Sequence, residues 1–140
     1  MDKDIFIKHL EFIQSNITRM AANSFLLKGW NVTITAGLFA LAAKDANTAY
    51  VVIALFTGLS FWGLDAYYLR QERLFRRLYD EVRKGFNNQS TLIEVFSLST
   101  VPYQSQVAGW FRTLWTPSII GVHGLTVLLI IAATLVRFLS

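Results

Sequence analysis

The chain has 140 residues, of which 54% are hydrophobic and 16% are charged; it carries a net charge of +4 and contains no cysteine. The absence of cysteine excludes disulfide bonds, thiolate metal sites and cysteine nucleophiles. The charged fraction lies well below the ~25% of ordinary soluble domains, and the length suits a single domain over residues 1–140. The composition therefore favours a small membrane protein.

Residues 1–24 predict an amphipathic N-terminal helix. Such a helix would lie on the membrane or on the protein's own cytoplasmic part, or would form a seam between subunits. No proline occurs before Ala43, so the helix is expected to continue into the apolar run that follows. The apolar stripe with heptad-like spacing consists of Phe6, Leu10, Ile13, Ile17 and Met20.

Three apolar runs, 25–43, 49–69 and 115–136, predict transmembrane helices. Each run is close to the ~20 residues that a helix needs to cross ~30 Å of hydrocarbon. Because lipid offers no hydrogen-bond partners, the backbone groups of each run must pair within it, as they do in a helix. The expected fold class is an all-α integral membrane protein with three transmembrane helices and a helical cytoplasmic extension over 70–114.

The basic residues alternate between the two predicted sides of the membrane. Four Lys or Arg residues precede residue 29, one lies between the first two spans, seven lie between the second and third spans, and one lies in the tail. Basic loops stay on the cytoplasmic side. The pattern predicts a multi-pass protein of the bacterial inner membrane, with the N-terminus in the cytoplasm and the C-terminus outside.

Polar side chains inside the spans form the first candidate site. In the first span, Lys28 and Asn31 share one helix face with Ser24 and Thr35. In the second span, Asp65 follows a stripe of small residues that permits close helix contact. A pore or a gate is the functional interpretation, and hydrogen bonds that fix helix packing, with Lys28 reaching the headgroups, are the alternative. The predicted pore or gate residues are Lys28, Asn31, Asp65 and His123.

Since the polar faces of the first and third spans need partners, a symmetric homo-oligomer is also expected. In such an assembly these faces would be satisfied between subunits.

A basic stripe follows the second span and forms the second candidate site. The helical pattern continues from Asp65 through Lys84 without glycine or proline. The stripe is either a topology signal that contacts anionic headgroups or a binding site for a phosphate-bearing ligand. Interleaved aromatic side chains would suit a single-stranded nucleic acid, although aromatic residues at helical spacing also form cores. The predicted ligand-binding residues are Arg70, Arg73, Arg77 and Lys84.

The segment between the stripe and the third span predicts a short helix over residues 90–101. Thr91 and Glu94 fit a capping box at its start, and Pro102 is expected to end it. Residues 103–114 are expected to re-enter the membrane interface.

Neither catalytic nor metal-binding patterns occur in the sequence. His9 and His123 are far apart and make no ligand set. Phosphate loops rich in glycine, HExxH motifs and Gly-x-Ser-x-Gly elbows are absent. We therefore expect no enzyme activity, no metal and no cofactor.

Residues 23–30 (NSFLLKGW) and 61–80 (FWGLDAYYLRQERLFRRLYD) resemble a family of small bacterial three-span membrane proteins. The resemblance is best over residues 9–84 and extends to the membrane effectors of two-component Hailong antiphage systems. It implies an oligomeric channel, with four subunits expected. It also implies a nucleotidyltransferase-like partner, whose single-stranded DNA oligomers hold the pore shut until infection. Ligand binding would fall to the basic cytoplasmic part as a whole.

Two functional hypotheses follow. The first is an oligomeric, ion-conducting membrane effector in antiphage defence, gated by a cytoplasmic nucleotide or oligonucleotide. The second is a non-conducting membrane anchor or adaptor that recruits a soluble partner through the same extension. A proton-coupled transporter that uses Asp65 and His123 is less favoured, because the sequence lacks a discontinuous helix or an inverted repeat.

Overall fold

The computed structural model describes residues 3–45, 47–87 and 96–139, which are mostly helical and form no strand. Helix α1 spans Lys3–Asp45 (43 residues) and α2 spans Ala49–Asn87 (39 residues), and the two pack along each other as a hairpin. At ~1.5 Å per residue both are much longer than the ~30 Å of hydrocarbon in a bilayer. The all-α prediction is confirmed for the described residues.

The third long helix is assembled from three consecutive pieces. These are α3 (Pro117–Ile119), one π-helical turn (Ile120–Gly124) and α4 (Leu125–Leu139). The helix begins two residues later than the predicted run because Pro117, which has no N–H to leave unpaired, occupies its first turn.

Among the described residues, three helices are long and apolar enough to cross a membrane. They cover Lys3–Lys44, Ala49–Gly85 and Pro117–Val136, and they contain the predicted spans except for the two residues before Pro117. By the length and composition of these helices, the chain is a multi-pass membrane protein.

The N-terminal half of α1 and the C-terminal half of α2 extend beyond the predicted spans and pack on each other. The cluster that they bury consists of Phe6, Ile13 and Ile17 from α1 with Leu78 and Val82 from α2. The predicted N-terminal stripe therefore contacts the chain's own second helix. We call this pair of helix ends the paired extension, residues 3–24 and 70–87.

The segment after α2 differs in part from the prediction. Residues 90–95 of the predicted short helix, with Thr91 and Glu94, lie outside the described residues. Residues 97–100 have no regular secondary structure, and a 3-10 helix covers Val101–Gln106. Pro102 lies in the first turn of that helix instead of ending one, since its fixed φ favours helix starts.

Two tryptophans hold the re-entry segment against α2. Trp62 Nε1 donates a hydrogen bond to the Leu114 carbonyl (3.0 Å), and Trp110 Nε1 donates to the Gly63 carbonyl (2.9 Å). The Trp110 ring packs directly on Gly63, where a Cβ would lie 3.4 Å from it. These contacts fix where the third helix starts and thus where His123 lies.

The cluster in the paired extension gives a stability prediction with a matched control. Ile13 is 0% exposed and Ile7 is 42% exposed, on the same helix. Ile13→Ala should lower the free energy of unfolding by about 2–4 kcal/mol, because it removes packed methyl groups and leaves a cavity. Ile7→Ala should change it by less than about 1 kcal/mol. Denaturant unfolding in detergent micelles measures both, and equal losses would contradict the packing described.

Candidate functional site

Asp65, from α2, lies at the centre of a polar cluster between the three long helices. Its side chain is 0% exposed, and Ala54 and Gly58 on the same helix face are also buried. A Cβ at Gly58 would lie 3.7 Å from Asn31 Oδ1, an ordinary van der Waals separation, so α1 passes directly against this position of α2. The small-residue stripe thus brings α1 and α2 close together beside the carboxylate.

The carboxylate of Asp65 accepts contacts from α1 and from the third helix. Oδ2 lies 2.6 Å from Lys28 Nζ and 2.9 Å from His123 Nε2, while Oδ1 accepts a hydrogen bond from Ser24 Oγ. Lys28 Nζ also donates to Ser24 Oγ (2.9 Å) and keeps 20% of its side chain exposed. The structure thus brings three of the candidate residues, Lys28, Asp65 and His123, into contact.

His123 is fully buried in the π-helical turn and links Asp65 to Asn31. Asn31 Nδ2 lies 2.9 Å from His123 Nδ1 and 3.4 Å from Thr126 Oγ1. With the Asn31 amide in this orientation its nitrogen donates to Nδ1, whereas the opposite orientation would present Oδ1 to the same ring nitrogen.

Two oxygens beside this network lack partners. Asn31 Oδ1 and Thr35 Oγ1 are buried and have no hydrogen bond to any described residue. They are one helical turn apart on the polar face of α1. Most of the polar cluster is thus satisfied, and the unused capacity is concentrated at the Asn31 end.

The sequence did not nominate Ser24 and Thr126 as site residues, although both contact the cluster. Ser24 could have been found from its position four residues before Lys28 on the same helix face. Thr126 was harder to predict as a site residue, because the hydroxyl of a threonine inside a helix commonly donates a hydrogen bond to a carbonyl of the same helix. Thr126 Oγ1 does so to the Val122 carbonyl (2.8 Å).

The network also bears on the reason given for expecting an oligomer. Apart from Asn31 Oδ1 and Thr35 Oγ1, its hydrogen-bonding groups on α1 and the third helix find partners within one chain. Satisfying these polar faces therefore does not require neighbouring subunits. Oligomerisation remains a prediction that needs a different argument.

The basic stripe divides into two groups. Arg73, Arg76, Arg77 and Asp80 of α2 line an open cavity of about 290 Å³, and residues 106–108 form its other side. We call this cavity the arginine groove. Arg76 pairs with Glu72 (2.7 Å), whereas no ion pair joins Arg73 or Arg77 to a described residue.

The remaining members of the stripe lie outside the lining of the groove. Arg70 is half-buried, and its Nε has no hydrogen-bond partner among the described residues. Lys84 pairs with Glu81 (3.1 Å), and the neighbouring Asp80 pairs with Arg83 (3.5 Å). Both are i,i+3 pairs along the exposed side of α2.

Metal coordination finds no basis in the described part of the chain, where no group of three or more His, Cys, Asp or Glu side chains converges. Comparison with protein-family models, curated proteins and solved structures gives no match to the chain. The resemblance to Hailong-type effectors stays a prediction from the residues that carry it. Function is inferred below from the chain's own geometry.

The buried pair gives a second stability prediction. Asp65→Ala should lower the free energy of unfolding by about 3–5 kcal/mol, because it leaves the Lys28 charge without its counter-ion and His123 Nε2 without its partner. Lys28→Ala should cost less in the Asp65→Ala background than alone, which a double-mutant cycle measures.

The matched control for this cycle is the Glu72–Arg76 pair, in which Arg76 is 61% exposed. Its coupling energy should be below about 0.5 kcal/mol, because exposed helix pairs are screened by water. A coupling between Lys28 and Asp65 as small as that of the control would show that the buried pair does not hold the helices together.

Proposed function

We propose that the chain is the subunit of an ion-conducting membrane effector in antiphage defence, gated by an anionic ligand on the cytoplasmic side. The observation that carries the proposal is the contact of Lys28, Asp65 and His123 between three apolar helices. Ionisable groups at membrane depth are costly, and by default they indicate a functional site such as an ion pathway or a gate.

The cluster acts as the lock of the closed state. Asp65 is fully buried and saturated with contacts, so in this arrangement it faces no aqueous path. One chain of three helices encloses no wide conduit, and the conducting path is formed around the axis of a homo-oligomer, with four subunits expected from the resemblance. Opening requires the three helices to shift and the cluster to rearrange.

The paired extension lies in the cytoplasm, since it carries the basic residues that the positive-inside rule retains there. The N-terminus is cytoplasmic and the C-terminus lies outside the bacterial inner membrane. In this orientation the arginine groove faces the cytoplasm, where a nucleotide or an oligonucleotide made by a nucleotidyltransferase-like partner would meet it.

Gating follows from the position of the groove on α2. Arg73 and Arg77 lie eight and twelve residues after Asp65 on one uninterrupted helix, or ~12 and ~18 Å at the helical rise. A polyanion that binds the closed arrangement more tightly than the open one keeps the population closed. Arg73 and Arg77 form no ion pair with a described residue, so their guanidinium groups are available for phosphates, and the groove carboxylate of Asp80 pairs with Arg83 instead.

The alternative function is a non-conducting membrane anchor or adaptor. The saturation of Asp65 favours it, because a polar cluster satisfied within one chain can also serve purely to fix the helices. In that case the arginine groove would recruit a soluble acidic partner.

The conductance proposal is tested in liposomes and cells. Purified, ligand-free protein should let monovalent cations cross the liposome membrane, which an entrapped cation-sensitive dye reports. Overexpression should depolarise the bacterial membrane. Asp65→Asn should raise the flux severalfold, since it weakens the lock while keeping the side-chain shape, and Glu72→Gln is the matched control on the same helix. Correctly inserted protein without flux in either variant would favour the adaptor.

The ligand proposal is tested by charge reversal in the groove. Arg73→Glu with Arg77→Glu should weaken binding of a labelled single-stranded deoxyoligonucleotide by at least about tenfold at 0.15 M salt, near physiological ionic strength, as two charge-assisted contacts are lost. Fluorescence anisotropy in nanodiscs measures this loss.

The control for the ligand test makes the same change in charge outside the groove. It is Lys8→Glu with Arg19→Glu, two exposed residues of α1 that do not line the groove. Equal weakening by both double variants would mean that only net charge matters, and unchanged binding in the groove variant would reject the site.

A further inference from the structure

In the polar cluster, one carboxylate faces two side chains that can each carry a positive charge. Asp65 carries one negative charge, and it contacts both Lys28 (2.6 Å) and His123 (2.9 Å) through the same oxygen. One carboxylate balances one cation, and an uncompensated charge between apolar helices is costly. With Lys28 as the balancing cation, this charge count leaves His123 neutral, and an Asn31 amide with its nitrogen toward Nδ1 matches that state.

Asn31 supplies what a charged His123 would need. Its Nδ2 now faces His123 Nδ1, while its Oδ1 is buried without a partner. A half-turn of the amide about its last side-chain bond would present Oδ1 to Nδ1, so that a proton bound there would find an acceptor. The same residue can therefore satisfy either protonation state of the ring.

Lys28 has a route out of the cluster, unlike the other ionic groups. Its side chain is 20% exposed, whereas those of Asp65 and His123 are 0% exposed. Its flexible stem can carry the ammonium group to the lipid headgroups. Among the described residues, the charged side chains in contact with the cluster are Lys28 from α1 and Asp65 from α2.

We propose that His123 is a proton-binding site whose occupation releases Lys28 from Asp65. A proton from interfacial water binds Nδ1, Asn31 turns to accept it, and the imidazolium replaces the ammonium as the counter-ion of Asp65. The cluster keeps its charge balance, while α1 loses its ionic contact with α2. This proton input goes beyond the anionic ligand of the proposed function and does not depend on conductance.

The experiment is ¹⁵N NMR of histidine-labelled full-length protein in lipid nanodiscs. The chain has two histidines, His9 and His123, so His123→Gln assigns the signals. At pH 7 the wild-type His123 ring should show an unprotonated Nδ1 and a protonated Nε2. Lys28→Met should shift Nδ1 to the protonated position at the same pH, because Asp65 then lacks its other cation.

Two matched variants complete the test. Lys28→Arg keeps the cation and should keep the neutral ring, and Lys44→Met removes a lysine at the far end of α1 and should also keep it. If Lys28→Met does not fold, wild type titrated from pH 8 to pH 5 decides, with Nδ1 expected to become protonated. A ring that stays neutral in folded Lys28→Met, or in wild type throughout this titration, would overturn the proposal. Absence of ion flux would leave it intact and would count against the proposed pore alone.

Discussion

The rest of the structure depends on one carboxylate that three helices share. Asp65 is contributed by α2, its cation and a hydroxyl come from α1, and its imidazole comes from the third helix. In lipid, apolar side chains gain little by leaving their surroundings for one another, so close packing and polar contacts determine which helix faces meet. The carboxylate therefore determines which helices are neighbours and how each helix is rotated about its own axis.

Outside the predicted spans, α1 and α2 are held together by apolar packing instead of polar contacts. The paired extension buries Ile13, Leu74 and Leu78 almost completely, as a water-soluble helix pair would. There the hydrophobic effect supplies the stabilisation, at about 25 cal/mol per Å² of apolar surface removed from water. The hairpin of α1 and α2 thus combines polar packing within the predicted spans with an apolar seam beyond them.

The sequence allowed the three long helices to be predicted because length and hydropathy are local properties. The shared face of Lys28 and Asn31 and the small-residue approach to Asp65 followed from helical periodicity, and the structure brings these residues together with His123. Helical periodicity could not predict the hydrogen-bond partner of each polar group, because the partner depends on how far each helix is rotated and shifted relative to the others. For the same reason, periodicity could not show that Arg73 lines the groove and Lys84 does not, because the opposite side of the groove is formed by residues 106–108, far away in sequence.

Between the intramembrane cluster and the arginine groove, α2 has neither glycine nor proline and no break in its helical hydrogen bonding. Sharp helix bends require such residues or an inserted group. This stretch therefore moves as a rigid body, so that a rotation about the helix axis or a shift along it at one end also occurs at the other end. The angle about the helix axis between the carboxylate and the guanidinium groups is fixed by the number of residues between them.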